Sequence, residues 1–174
     1  MNSFDKLNPE LEAQYNIHLN FDYKDKTILD IGAESGTSAE YFFKHGAKYV
    51  TCIEGDVRLA SLCSQNLREG FADRYDVVVE WIDSPYHFDR LLSLYGRSGP
   101  RRTGLVKIDI EGWECCMLGM NDLILAEQRE IIIDTHSRLL TVLLTEKLVK
   151  NNFKMLNDVV GDVIHAVSMG PEPR

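Results

Sequence analysis

Several things are missing from this chain of 174 residues. No apolar run approaches the roughly 20 residues that a membrane-spanning helix needs. Met1–Leu19 lacks the apolar core of a secretory signal. Neither membrane insertion nor export is expected, and a cytoplasmic location fits. Cysteine is scarce: Cys52, Cys63, Cys115 and Cys116 follow no metal-ligand spacing. All four fall in apolar strand or helix patterns, so buried, reduced thiols are expected. Positive charge is in deficit, with 19 Lys and Arg against 27 Asp and Glu, a net charge of −8. An acidic domain is a poor default binder of nucleic-acid phosphates, so nucleic acid is disfavoured as a partner. There is no internal repeat, no low-complexity segment and no domain linker.

What is present is enough chain for one domain with one sizeable core. Residues 1–26 are polar and read as an N-terminal arm or lid. Asn8-Pro9 looks like a cap and first helical position, and Tyr15, Ile17, Leu19 and Phe21 could pack the arm on the domain. The domain proper, 27–174, starts with Thr27–Gly36, TILDIGAESG. Thr27, Ile28, Leu29 and Ile31 compose a strand covered on both faces. Asp30 interrupts it, and a carboxylate there needs a partner or a ligand. Gly32 allows a sharp turn and a close approach to a ligand. Gly36 opens a helix over Thr37–His45, whose first N–H groups can hold an anionic group. The glycines stand four apart, which is not the dinucleotide spacing Gly-x-Gly-x-x-Gly. Glu34 lies where a diphosphate would have to sit, so the turn suits a cationic ligand.

Strands and helices alternate from there. Lys48–Glu54 reads as a second strand ending in Glu54, followed by Gly55. An acid at this position, 24 residues after Asp30, suits the two hydroxyls of a ribose. Asp56 reads as an N-cap, and Leu59, Leu62, Cys63, Asn66 and Leu67 mark the helix that follows, ended by Gly70. Tyr75–Ile82 reads as the third strand. Asp83 or Ser84 after it could accept from an adenine amino group, although Ser84-Pro85 equally reads as the cap of a helix over Pro85–Tyr95. Gly96–Thr103 carries Arg97, Arg101 and Arg102. It precedes a strand, so it falls at the edge of the sheet away from ligands.

Gly104–Glu111, GLVKIDIE, is expected to be the fourth strand. Lys107, Asp109 and Glu111 alternate with Val106, Ile108 and Ile110, which puts three charges on one side. Such charges pair or line a cleft. A helix is expected around Trp113–Leu118. Glu130–His136, EIIIDTH, reads as the fifth strand, with Asp134 and His136 at its end. The next helix should bury Leu139, Leu140, Leu143, Leu144 and Leu148. Phe153–Leu156 and Val163–Ser168 close the chain as an antiparallel pair.

The segment Lys107-Ile108-Asp109-Ile110-Glu111-Gly112-Trp113-Glu114 resembles the hallmark of the FkbM family of methyltransferases. The first motif, Glu54 and Asp134-Thr135-His136 fall in that family's order, and the match spans roughly Thr27 to Phe153. The chain departs from the family at Glu34, where Asn is frequent, at Gly55, where Pro is frequent, and at Asp134, where Glu is common. The resemblance implies a Rossmann-like methyltransferase fold: a mostly parallel seven-stranded sheet, a C-terminal antiparallel hairpin and helices on both faces. It implies S-adenosylmethionine as cofactor, held by Asp30, Gly32, Ala33, Glu34, Gly36, Glu54, Gly55, Asp83, Ser84 and Asp109. It implies O-methylation of a hydroxyl on a small molecule or glycan, with Asp109, His136, Lys107 and Glu111 at the reacting centre. His136 would be the base, Asp109 would orient the acceptor or the sulfonium, and Lys107 with Glu111 would fix Asp109. No metal is required by spacing, although Asp109, Asp134 and His136 have the ligand types to hold one. No insertion large enough to cap the site is present, which leaves it open or completed by another subunit. RNA or protein methylation, and a non-catalytic binding module for S-adenosylmethionine or a nucleotide, are the competing readings. The Asn-Pro-Pro-Tyr and Asp-Pro-Pro-Tyr segments of amino-directed nucleic-acid methyltransferases are absent.

Overall fold

Ile28, Leu29, Asp30 and Ile31 of strand β1 (Thr27–Ile31) are all buried, because the strand sits in the middle of the sheet with helices on both sides. The computed structural model describes residues 22–96, 103–156 and 162–170. The arm helix near Pro9–Tyr15, the arginines of the Gly96–Thr103 loop and most of the turn before the last strand lie outside the described residues.

After β1 come α1 (Thr37–Lys44), β2 (Tyr49–Glu54), α2 (Val57–Phe71) and β3 (Tyr75–Val79). Then come α3 (Pro85–Leu91), continued by a π-helical turn over Leu92–Gly96, and β4 (Leu105–Ile108). A 3-10 helix (Trp113–Gly119), α4 (Asp122–Ala126), β5 (Glu130–Asp134), α5 (Arg138–Lys150), β6 (Phe153–Met155) and β7 (Val163–Ser168) complete the chain. The seven strands form one sheet in the order β3-β2-β1-β4-β5-β7-β6. β1 to β5 run parallel, and β7 lies antiparallel to both β5 and β6. The strand order reverses between β1 and β4, and a crevice opens at such a switch point.

Period-two alternation divides the core between the sheet's faces. Leu29, Ile31, Val106, Ile108, Ile131 and Ile133 pack against α3, the 3-10 helix and α5. Ile28, Val50, Cys52, Leu105 and Ile132 pack against α1 and α2. Tyr23, from the end of the arm, is buried in this second cluster against Tyr41 and Phe42. Lys26 pairs with Glu130 at the start of β5. The arm's last four residues are therefore part of the packed domain.

Several local expectations need correction. β3 stops at Val79 rather than Ile82, although Glu80 N–H still bonds to Glu54 C=O at 3.0 Å. β4 stops at Ile108, and Glu111 turns off the strand at φ +53°. The α5 face is narrower than the leucine pattern suggests: Leu140, Leu144, Leu148 and Thr141 are buried, while Leu139 and Leu143 are exposed. A single helix row meets the sheet, and those two leucines sit on its flank. On α2, Leu59 and Leu62 are likewise exposed. Cys52 and Cys63 are buried free thiols, but Cys115 is exposed on the 3-10 helix, whose three-residue turn places it opposite the buried Glu114 and Met117. No helix among the described residues is long and apolar enough to cross a membrane.

Candidate active site at the carboxyl ends of the strands

The loops after β1, β2, β3 and β4 enclose a cleft of about 290 Å³. Six of its lining residues are acids: Glu34, Glu54, Asp56, Glu80, Asp109 and Glu111. No Lys, Arg or His is among the described lining residues. Apolar walls come from Ile31, Ile53, Leu59, Ile82 and Ile110, with Trp81 and Trp113.

Glu54 ends β2 with its side chain almost buried, and the backbone pins it. One carboxylate oxygen accepts from Glu34 N–H and the other from Asp56 N–H, both at 2.8 Å. Each oxygen keeps acceptor capacity for a further donor. Asp56 itself caps α2, accepting from Arg58 and Leu59 N–H.

Gly32 is strained open at φ +81°, and a Cβ there would stand 1.7 Å from Asp109 C=O. Its glycine requirement therefore comes from the close approach of β1 to the residue after β4. The expected clearance for a ligand is not needed to explain it. Gly36, at φ +88°, would drive a Cβ to 2.9 Å from Cys63 Sγ. It serves the packing of α1 on α2 and does not line the cleft. Ala33 is buried and donates N–H to Ile53 C=O. Glu34 lines the cleft with φ +47°.

Asp30 is fully buried and never reaches the cleft. Ser38 Oγ–H donates to one of its oxygens, and Lys107 Nζ lies 3.2 Å from the other. Burial pushes its pKa up, against the opposing pull of Lys107 and Ser38. Lys107 is also buried. It donates to Gly32 C=O at 2.8 Å and lies 3.6 Å from Asp109 Oδ2. Lys107 thus ties β1, its turn and Asp109 together from behind the cleft. Glu111 is not part of that pairing, because its backbone has already left the strand.

Asp83 and Ser84 do not line the cleft. Asp83 pairs with His87 Nδ1 at 3.0 Å, and Ser84 stands at the N-cap of α3 without a side-chain cap bond. The side chains that wall the cleft after β3 are Glu80, Trp81 and Ile82. Trp81 lies over Gly55 so closely that a Cβ on Gly55 would reach its ring at 2.2 Å. Sequence reading missed Trp81. Its signal was Gly55 itself, directly after the strand-end acid, where a side chain would have filled the place of the indole.

β4 and β5 are neighbours, and their ends bring Asp109 and His136 together. His136 Nε2 lies 3.6 Å from Asp109 and 3.7 Å from Glu111, and Nδ1 lies 3.7 Å from Glu114 and 4.0 Å from Asp134. Glu114 was the other omission. It is fully buried, and it accepts from Ile110 N–H at 2.6 Å and Gly112 N–H at 2.9 Å, closing the loop after β4. Its position three residues after a left-handed Glu111 is a capping signal that the hallmark segment contained. Burial alone would lower the pKa of His136. Asp134, Asp109, Glu114 and Glu111 more than offset that, and the net shift is upward. Asp109, Glu114 and His136 each offer one metal-ligand atom, all within 4.8 Å of one another. The metal-type grouping thus contains Glu114 in place of Asp134. Among the described residues, three of the six non-glycine residues with positive φ, namely Glu34, Glu111 and His136, stand at this one edge. Left-handed backbone costs such residues about 1–3 kcal/mol each and gathers at functional sites.

No protein-family model and no curated protein matches the chain. Solved structures do. A candidate RNA methyltransferase from Pyrococcus horikoshii superposes with a TM-score of 0.62 at 14% identity, covering 95% of this chain and 81% of the other. Fibrillarin from Aeropyrum pernix, with natively bound S-adenosyl-L-methionine, gives 0.60 at 14% identity over 91% and 74%. The fold is that of class I S-adenosylmethionine-dependent methyltransferases. Magnesium protoporphyrin IX methyltransferase from Synechocystis, with the same cofactor bound, gives 0.55 at 13% identity over 84% and 72%. The fold is thus shared by a candidate RNA methyltransferase and a magnesium protoporphyrin IX methyltransferase.

Proposed function

We propose that the protein is an S-adenosylmethionine-dependent methyltransferase acting on a hydroxyl of a small molecule or glycan. The observation that carries this reading is Glu54, a nearly buried carboxylate at the end of β2, opening on a cleft whose described lining holds six acids and no Lys, Arg or His. A ribose diol finds two acceptors there, and a cationic sulfonium and ammonium find compensating charge. A diphosphate would meet Glu34 and Glu54. Trp81 supplies an aromatic wall beside Glu54, where a nucleobase attached to that ribose would lie. The KIDIEGWE segment supports an FkbM-like relationship. Four free thiols, two of them buried, suit a reducing compartment such as the cytoplasm.

When bound, S-adenosylmethionine supplies an electrophilic methyl group. The chain's own part is to bind and orient it through Glu54 and the Gly32 turn, and to hold the acceptor at the ends of β4 and β5. His136 takes the proton of the acceptor hydroxyl. Asp109, anchored by Lys107, orients that hydroxyl. The acidic cleft and the net charge of −8 argue against an RNA acceptor.

Calorimetry with S-adenosylmethionine, S-adenosylhomocysteine and NAD tests the cofactor. Binding of the first two without NAD is expected, and NAD binding alone would refute the reading. Labelled methyl donor incubated with fractionated cell extract then tests transfer. Label in low-molecular-weight or glycan fractions is expected, and label confined to RNA or protein would overturn the acceptor class.

A further inference from the structure

We propose that the outer edge of β3 pairs, antiparallel, with the same edge of a second copy of this chain, joining two sheets into one. The pairing does not rest on the methyltransferase reading. β3 is an outermost strand of the sheet, and among the described residues no strand lies beyond it. Arg74 C=O accepts from Val50 N–H at 3.1 Å, and Glu80 N–H donates to Glu54 C=O at 3.0 Å. Residues of a parallel ladder alternate, so Asp76 and Val78 also turn their main chain to β2. Tyr75, Val77 and Val79 turn theirs outward. Such edges are normally guarded by shortness, lysine or proline. The opposite edge of the sheet is guarded in that way: β6 has three residues, and the central one is the exposed Lys154. β3 is longer, carries three consecutive valines and has neither lysine nor proline. Val79 is 53% exposed and Trp81, just beyond it, 56%.

The occupant is a second copy because the edge is complementary to itself in one register. When Val77 faces Val77 of the copy, Tyr75 faces its Val79 and Val79 faces its Tyr75. Every outward group of the strand then has a partner, and each facing pair exchanges both N–H···O=C bonds. Asp76 falls opposite Val78, and Arg74 opposite Glu80, so no two acids meet. Sliding the copy by two residues one way sets Asp76 against Asp76. It also sends Val79 to Asp73, whose φ of +67° has left the strand. Sliding it the other way sets Asp76 against Glu80 and sends Tyr75 to Trp81, beyond the end of β3. Like charges directly opposite are destabilising. A slip of one residue would set outward groups against inward ones. In the matched register Trp81 falls opposite Asp73 of the copy. The turn before the copy's β3 thus arrives beside Trp81 and adds a flank to the cleft that Trp81 walls.

Sedimentation equilibrium of the whole chain across the micromolar range tests the pairing, and a dimer is expected. Val79→Pro removes an outward N–H and no bond to β2, so cooperative melting should persist. It deletes one intermolecular bond from each copy, and the dissociation constant should rise at least about tenfold. Register is read by disulfide trapping in a Cys115→Ser, Cys116→Ser background. Facing residues of a non-hydrogen-bonded pair stand about 4.5 Å apart at Cα, which suits a disulfide. Asp76→Cys mixed with Val78→Cys should give a cross-linked heterodimer, and neither variant should cross-link by itself. A monomer at every concentration would overturn the inference, as would a dimer that Val79→Pro leaves unchanged. Cross-linking of either variant by itself, or none in the mixture, would overturn it too. Should Val79→Pro fail to melt cooperatively, the cross-linking pattern decides.

Discussion

The β1–β2 and β4–β5 sides of the sheet's carboxyl edge are built by different means. On the β1–β2 side the anchoring group is fixed by the main chain: Glu54 receives two backbone N–H bonds of 2.8 Å, and the Gly32 turn presses on the Asp109 carbonyl. On the β4–β5 side the groups are side chains facing one another at 3.6 to 4.0 Å, beyond hydrogen-bond length. A site whose occupant is always the same can be preorganised by backbone. On the proposed function, the β4–β5 side is where a proton moves and an acceptor enters and leaves, and charges held apart there await the contacts that the acceptor would supply.

The sharpest way to break this contrast is Gly32→Val. A Cβ at 1.7 Å from a backbone carbonyl, on a residue held at φ +81°, should cost at least about 3 kcal/mol. Thermal melting should show a large loss of stability or no cooperative transition. A mutant with normal melting that merely fails to bind cofactor would return Gly32 to a ligand-contact role.

His136→Ala comes next. Turnover should fall roughly 10²–10⁴-fold for a lost general base, with S-adenosylmethionine affinity nearly unchanged, as single-turnover kinetics and calorimetry would reveal. Full activity would exclude His136 from the chemistry. Glu54→Ala should act on the other half alone. Hydrogen bonds to a charged group contribute about 1.5–3 kcal/mol each, so affinity for S-adenosylmethionine should weaken at least about tenfold. Unchanged affinity in a folded mutant would remove Glu54 from the site.

The smallest effect expected is on pH dependence. Burial works to lower the His136 pKa, the surrounding carboxylates raise it further than that, and the result lies above the ordinary 6.5. The rate should therefore rise with pH along a limb whose midpoint exceeds 6.5, and Asp134→Asn should move that limb to lower pH. Stability should carry the matching signature. The contribution of protonated His136 is complete below about pH 6.5 and disappears as pH rises through the higher folded value. A limb at or below 6.5 would mean that the four carboxylates do not govern the imidazole.

Much of the sheet was legible in the chain, since runs such as Ile28–Ile31, broken only by Asp30, and Ile131–Ile133 are apolar where two layers of helix cover them. Strand-end acids were legible for a related reason: Glu54 and Asp109 interrupt patterns that burial would otherwise keep apolar. Helix faces were less so. Leu139 and Leu143 fit the period of a buried stripe, but the width of the stripe depends on how much of α5 the sheet can reach.

By itself the sequence determined the order of elements, the parallel sheet, and the residues that arrive at its carboxyl edge, because hydrophobic period and turn chemistry are local. The tertiary structure alone decided which of those residues face the cleft. Asp30, one residue before Ile31, turns into the interior to meet Lys107, and Gly36 serves a cysteine on another helix. Trp81 reaches over Gly55, and Glu114 turns back beneath His136. Those contacts join positions 22 to 77 residues apart. A side chain's direction at the end of a strand follows from what has packed against it, and no local pattern records that.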